Sequence, residues 1–284
     1  MKFYRYWVKC QRDLAHDDAA TQDRQPTVAY GHSDLSLDDA RACGERLLDR
    51  LQQRILGGTD APWSYDTAER PIREEILRVL TPQNVVTRNR YGAEVLNSSE
   101  LVIVDLDGEL PLTNFSLKRL LTGLFGAATP SGNLSQAEVL ERVAALARRA
   151  ECQEFPIRVY RTKAGYRLII DCVLDGKDSR QLMEAFHADP LYATLCQAQN
   201  CYRARLTPKP HRLRMRKCRF NFPETDAAVL AAQQAWLEEY TSRSRDCAVC
   251  RYLGSINAPD GRADHPVIRF HDDRTGAMSD RPLA

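Results

Sequence analysis

Two carboxylates stand one residue apart at the end of an apolar run, Leu101-Val102-Ile103-Val104-Asp105-Leu106-Asp107-Gly108. The run of β-forming residues predicts a buried strand, and the two-residue period of a strand puts Asp105 and Asp107 on one face. Carboxylates placed side by side repel unless a cation compensates them. The pair is therefore a candidate ligand set for one divalent ion, Mg²⁺ or Mn²⁺. The plain alternative is a strand that runs into a solvated Asp-Gly turn.

The second concentration of chemistry is cationic. From Pro190 to Pro223 there is no Asp or Glu, while Arg203, Arg205, Lys209, Arg212, Arg214, Arg216, Lys217 and Arg219 add eight positive charges to a chain whose formal net charge is only +2. Read as two strands, Cys201–Leu206 and Leu213–Phe222, this segment (202–219 at its most basic) places Arg203 with Arg205, and Arg212 with Arg214 and Arg216, in rows on one face. Such rows suit phosphate tracking, with Tyr202, Phe220 and Phe222 available to stack bases. A solvated face salt-bridged to acidic helices is the alternative, and the local lack of acid favours the phosphate reading. Cys247-Ala248-Val249-Cys250 has half the ligands of a zinc site, but no second pair has matching spacing. These two are read as structural thiols, and the other cysteines of the nine as small buried hydrophobes.

The elements that must position these groups are legible in part. Ser36, with Asp39 three residues on, predicts a helix start, followed by Leu37, Ala40, Cys43, Leu47, Leu51 and Ile55 at helical spacing. Ser135 with Glu138 predicts a second, with further helices over 179–186, near Leu191 and from Thr225 or Asp226. Strands are expected at Phe3–Lys9, Asn84–Val95 (broken at Asn89-Arg90-Tyr91-Gly92), Leu101–Leu106, Phe155–Arg161, Tyr166–Val173 and Val267–His271. Thr162-Lys163-Ala164-Gly165 has the length of a hairpin turn. Residues 11–26 and 57–71 read as loops. Strands arriving in short pairs between helices predict an α+β fold with a largely antiparallel sheet. Residues 1–80 are expected to form an N-terminal α/β segment packed on a core of residues 81–284.

With 284 residues, 43% hydrophobic and 27% charged, the composition excludes wholesale disorder. No apolar run approaches the roughly 18 residues of a membrane span. The opening Met1-Lys2-Phe3-Tyr4-Arg5-Tyr6-Trp7 lacks the apolar core of a signal peptide. A soluble, cytoplasmic protein is expected.

Two families write an apolar strand ending in Asp-x-Asp. The stretch Asp105-Leu106-Asp107-Gly108-Glu109 resembles the first motif of haloacid-dehalogenase-like phosphatases, which implies Asp105 as nucleophile, with Thr162 and Asp272-Asp273 as later motifs. The sequence departs from it where that family has Thr after Gly, and Thr162 falls in a hairpin turn. The closer resemblance, over roughly Leu101–His271, is to the archaeo-eukaryotic primase and primase-polymerase superfamily. Thr162-Lys163-Ala164-Gly165-Tyr166-Arg167-Leu168-Ile169-Ile170 looks like its second motif, with Arg167 where His would stand. Arg251-Tyr252-Leu253-Gly254-Ser255-Ile256-Asn257 resembles a later stretch without its Pro. This resemblance implies an RRM-like or primase-like core. It also implies catalytic metals on Asp105, Asp107 and a third carboxylate, Asp171, with Asp189 and Asp272 as rivals.

Three hypotheses follow. The first is a nucleic-acid or nucleotide-binding protein that is a metal-dependent nucleotidyltransferase, with Lys163, Arg167, Arg251 and His271 on nucleotide phosphates and the basic rows on nucleic acid. The second keeps the basic rows without chemistry, as an inactive nucleic-acid-binding module. The third is the phosphatase. Strand direction around Leu101–Asp107 separates the first from the third.

Overall fold

The run Leu101–Val104 is apolar at every position, and a strand of that kind must be covered on both faces. The computed structural model, which describes residues 1–13, 26–56, 71–108, 110, 134–174 and 176–284, meets that requirement with an α+β fold of three antiparallel sheets. The first sheet pairs β1 (Tyr6–Arg12) with β2 (Thr27–Ser33) under the helix α1 (Leu37–Leu56). The second contains β3 (Glu75–Thr81), β4 (Asn84–Arg88), β5 (Glu94–Ser98) and β9 (Tyr202–Arg205), in that spatial order. The third holds β6 (Val102–Asp107), β7 (Ile157–Thr162), β8 (Gly165–Ile170) and β10 (Cys250–Ile256), in the spatial order β10-β7-β8-β6. The helices are α2 (Gln136–Arg149), α3 (Gly176–Ala185), α4 (Pro190–Gln199), α5 (Ala227–Ser244) and α6 (Pro266–Thr275).

Local signals explain most of these elements. Ser36 caps α1 by accepting the Asp39 amide at 3.0 Å, and Ser135 with Glu138 forms the full capping box of α2. Asp226 caps α5. The hairpins β4–β5 and β7–β8 form as their turn sequences predict. Tyr160 pairs with Arg167, and Arg167 with Asp105, so those three side chains share one face of the third sheet. The opposite face packs against α2, through Val139, Val143 and Leu146.

Two expected strands are corrected, and the expected boundary and loops are placed. The boundary at residue 80 falls inside β3, which pairs with β4, so the β1–β2–α1 unit ends before Glu75. Val267–His271 is not a strand: Pro266 opens α6, His265 caps it and Gly276 closes it in a left-handed conformation. Leu213–Phe222 is not a strand either. Pro208 and Pro210 remove backbone donors, and Pro210–Leu213 forms a 3-10 turn ended by Arg214 at φ +55°. The expected loops 11–26 and 57–71 lie mostly outside the described residues; Gln11 and Arg12 belong to β1, and Thr27 opens β2.

The first sheet is held to its helix by backbone contact. A Cβ on Gly31 would stand 1.9 Å from the Ala40 carbonyl oxygen and 2.3 Å from the Gly44 nitrogen. Neither atom can swing aside as a side-chain end can. Gly31→Ala is therefore expected to lower stability by about 1–3 kcal/mol, read from urea midpoints. An unchanged midpoint would show that helix and strand can separate freely.

Candidate functional site

Asp105 and Arg167 face each other across the β6–β8 pair, and they meet in a two-pronged ion pair. Arg167 Nε lies 2.7 Å from Asp105 Oδ1, and its second amino nitrogen 3.0 Å from Oδ2. The Arg167 side chain is 3% exposed, that of Asp105 45%. The carboxylate thus reaches a cavity while the guanidinium lies beneath it. The remaining guanidinium nitrogen donates to the Arg205 carbonyl at 2.9 Å and lies 3.2 Å from His271 Nε2.

His271 continues the network. Arginine only donates, so His271 Nε2 accepts, and Nδ1 carries the proton toward Asp272 Oδ1 at 3.0 Å. The imidazole is neutral in this arrangement, and burial pushes its pKa below the ordinary 6.5 despite the Asp272 contact. Asp272 also accepts Tyr160 Oη at 2.7 Å and pairs with buried Arg158 at 2.8 Å. Burial opposes the Asp272 charge, but His271, Tyr160 and Arg158 together hold its pKa below the usual range. Asp105 behaves alike: burial disfavours its charge, and Arg167, followed by Arg205 and His271, lowers its pKa.

A second bridge ties the two larger sheets together. The hydroxyl of Tyr192, on α4, lies 3.0 Å from the Ile103 carbonyl oxygen of β6 and 3.2 Å from that of Arg203 on β9. It also accepts the Arg203 amide at 3.1 Å. Asp189 caps α4 by accepting the Tyr192 amide at 2.8 Å, which aims the tyrosine at this seam.

Above the seam lies a cavity of about 270 Å³, lined by Asp105, Asp107, Asp189, Arg205, Lys209 and Arg212 among others. Asp105–Arg167 and Asp272–Arg158 cancel internally. Arg205, Lys209 and Arg212 are left facing Asp107 and Asp189. Among the described residues none of these three cations forms an ion pair. Burial and the neighbouring Arg167 lower the Arg205 pKa. Burial, then Arg205 and Arg212, lower that of Lys209. Each is the signature of a cation short of negative charge.

The segment carrying these cations is held by α5. Tyr240 Oη donates to the Pro208 carbonyl at 2.5 Å, and Arg243 to that of Leu213 at 3.0 Å. Trp236 Nε1 donates to Arg216 and Gln233 Nε2 to Arg219, each at 2.9 Å. These grips on main-chain carbonyls replace the ladder that a strand would have supplied.

The expected site residues therefore divide. Asp105, Asp107, Arg167, Arg205, Lys209 and Arg212 converge on the cavity. His271 lies behind Arg167, fully buried. Lys163 is exposed in the β7–β8 turn near the Asp107 end. Arg251 pairs with Arg161 and so lies on the opposite face from Arg167, donating to the Arg281 carbonyl at 2.8 Å. Asp171 follows Ile170, the partner of Val102, and is a strand length away from Asp105; Asp189 shares the cavity in its place. Arg203 is ion-paired with Glu74 at 2.5 Å. Arg214 and Arg216 are exposed and outside the cavity lining. Tyr202 is buried, and Phe220 packs edge-on against Trp236, so neither is open to a base. Cys247 and Cys250 belong to different hydrophobic clusters, and burial pushes the Cys250 thiol up to about 11.

The residues do not form a ready metal centre. Asp105 has both oxygens on Arg167, and among the described residues no group of three His, Cys, Asp or Glu side chains converges as a ligand set. The neighbour of β6 is antiparallel, whereas the phosphatase reading needs a parallel one. Tyr192, Arg158 and Tyr160 escaped sequence reasoning. Only the Asp189-Pro190 helix start hinted at the first. Compared with protein-family models, with curated proteins and with solved structures, the chain matches none.

Two outcomes are expected from the buried network. Asp272→Ala strands Arg158 as a buried charge and should lose about 3–5 kcal/mol of stability, measured by urea denaturation. For pH, a neutral buried His271 means that the unfolded chain binds more protons below 6.5, so stability falls on acidification from pH 7 to 5. The contributions of Asp105 and Asp272, whose pKa values are depressed from 3.8, are lost only as pH falls below about 4. His271→Gln should flatten the slope between pH 7 and 5 and leave the acid limb. A slope unchanged in that variant would refute the neutral, buried assignment.

Proposed function

We propose that this protein binds the phosphates of a nucleotide or nucleic acid in the cavity between β6 and β9. The observation that carries this reading is the convergence of Arg205, Lys209 and Arg212, without ion-pair partners among the described residues, on one cavity. A phosphate bears the charge and acceptor oxygens that three such donors lack. The cavity also suits a ligand with a polar edge, because Asp107 and Asp189 accept where the cations donate.

The all-antiparallel third sheet, with the Asp pair on its edge strand and Arg167 on the neighbouring one, supports a primase-like relationship and with it the nucleic-acid reading. Metal-dependent nucleotidyl transfer remains the finer form of this proposal. Asp107 is exposed and could share a cation that arrives with the nucleotide, while Asp105 joins only if Arg167 lets go. Binding without chemistry accounts for the Asp105–Arg167 pair as it stands.

Lys209→Ala with Arg212→Ala should weaken binding of a fluorescein-labelled oligonucleotide across all sequences. The slope of log affinity against log salt should shrink by about 0.7 per lost phosphate contact on a single strand. Arg214→Ala with Arg216→Ala, outside the cavity, should change affinity much less. Equal effects of the two pairs would reduce the cavity to part of a diffuse basic surface, and no effect of the first pair at low salt would overturn the proposal.

A further inference from the structure

The phosphate cavity has a neighbour. A second cavity, of about 350 Å³, is lined by Tyr91, Pro210, His211 and Lys217, and it shares Arg205 and Lys209 with the first. The two cations thus form a common wall, with an acid-bearing chamber on one side and a more apolar, aromatic one on the other. A lone phosphate or a mononucleotide needs only one chamber. A chain with a phosphate between successive bases fits both.

Tyr91 has the character of a stacking platform. It is 50% exposed, whereas Phe220, Trp236 and Tyr240 pack on one another. Its backbone is braced nonetheless. It sits in the β4–β5 turn, where the Asn89 side chain accepts the Tyr91 amide at 3.0 Å and the Ala93 amide at 3.1 Å. The next residue, Gly92, has φ +83°, and a Cβ there would stand 2.5 Å from the Trp236 ring. The turn is therefore pressed onto α5, the helix that also grips the basic segment. Arg90 adds a guanidinium 5.2 Å from the Tyr91 ring centre. An exposed aromatic on a braced turn, flanked by Arg90 and Lys217, joins ring and phosphate recognition within one surface.

We infer that the ligand is a single-stranded nucleic acid that crosses from one cavity to the other, with a backbone phosphate on Arg205 and Lys209 and a neighbouring base stacked on Tyr91. This deepens the phosphate-binding reading and rests on it. In a duplex the base faces are stacked on one another and closed to Tyr91, so the site selects unpaired strands.

The test uses the full-length protein and fluorescence anisotropy with labelled oligo-dT and oligo-U of eight nucleotides, a matched duplex, and a labelled nucleoside triphosphate. Tyr91→Ala should weaken binding of the single strands by roughly tenfold, the scale of one lost base stack. It should leave the triphosphate within about twofold, and Tyr91→Phe should restore the single-strand affinity. Lys209→Ala should weaken both kinds of ligand. If Lys209→Ala weakens the single strands and Tyr91→Ala does not, the strand-crossing proposal fails and the phosphate reading stands. If the duplex binds as tightly as the single strand, the proposal fails too. If Lys209→Ala changes neither ligand, both readings fall.

Discussion

Arg167 is the constraint on which the site depends. Its guanidinium is buried, and a buried charge persists only if it is paired and its donors are satisfied. Asp105 supplies the charge, while the Arg205 carbonyl and His271 take the remaining donor. Those partners come from β6, β9 and α6, so one side chain on β8 requires four separate elements to arrive together. Asp272, Arg158 and Tyr160 extend the same requirement across the face of the sheet. The network thus specifies an arrangement more than it adds net stability, since burying such groups opposes much of what their pairing returns.

The seam between the second and third sheets follows from the same logic. β6 is an edge strand of one sheet and β9 of the other, and unpaired edge groups need partners when they are covered. Tyr192 and Arg167 provide them from either side, through the Ile103, Arg203 and Arg205 main chain. Because these bonds close the floor of the cavity, they also hold the groups that line it at fixed separation. The basic segment gets its shape from α5, which holds four of its carbonyls. A segment so rich in like charge would repel itself if it were free. Anchored through its main chain, it can keep Arg205, Lys209 and Arg212 together without acids between them. That is the condition for binding an anion tightly.

Where sequence reasoning succeeded, the determining interactions are short-range. The caps at Ser36 and Ser135, the two hairpins and the shared face of Asp105 and Asp107 each depend on residues within a few positions of one another. Elsewhere, a longer-range partner or a missed punctuation mark decided the outcome. The apolar residues Val267, Ile268 and Phe270 suit a strand or a helix equally, and only Pro266 and Gly276 distinguish the two. Arg251 stands in the same sheet as Arg167, but its pairing with Arg161 puts it on the other face. Arg203 and Arg205 share a strand and a face, yet Glu74 engages one and leaves the other open to the cavity.

The amino-acid sequence by itself therefore determined the α+β class, the antiparallel hairpins, the placement of two carboxylates on one strand face, and an acid-free run of eight cations. Composition and local periodicity suffice for each. Tertiary structure alone decided which of those cations converge, which carboxylate is engaged by Arg167, and that Tyr192 joins two sheet edges. It also decided that His271 is buried behind Arg167. The physical reason is that a charge is defined functionally by what faces it across space. The partners of Arg203, Arg205 and Arg167 lie on strands and helices far away in the chain, beyond the reach of any local pattern.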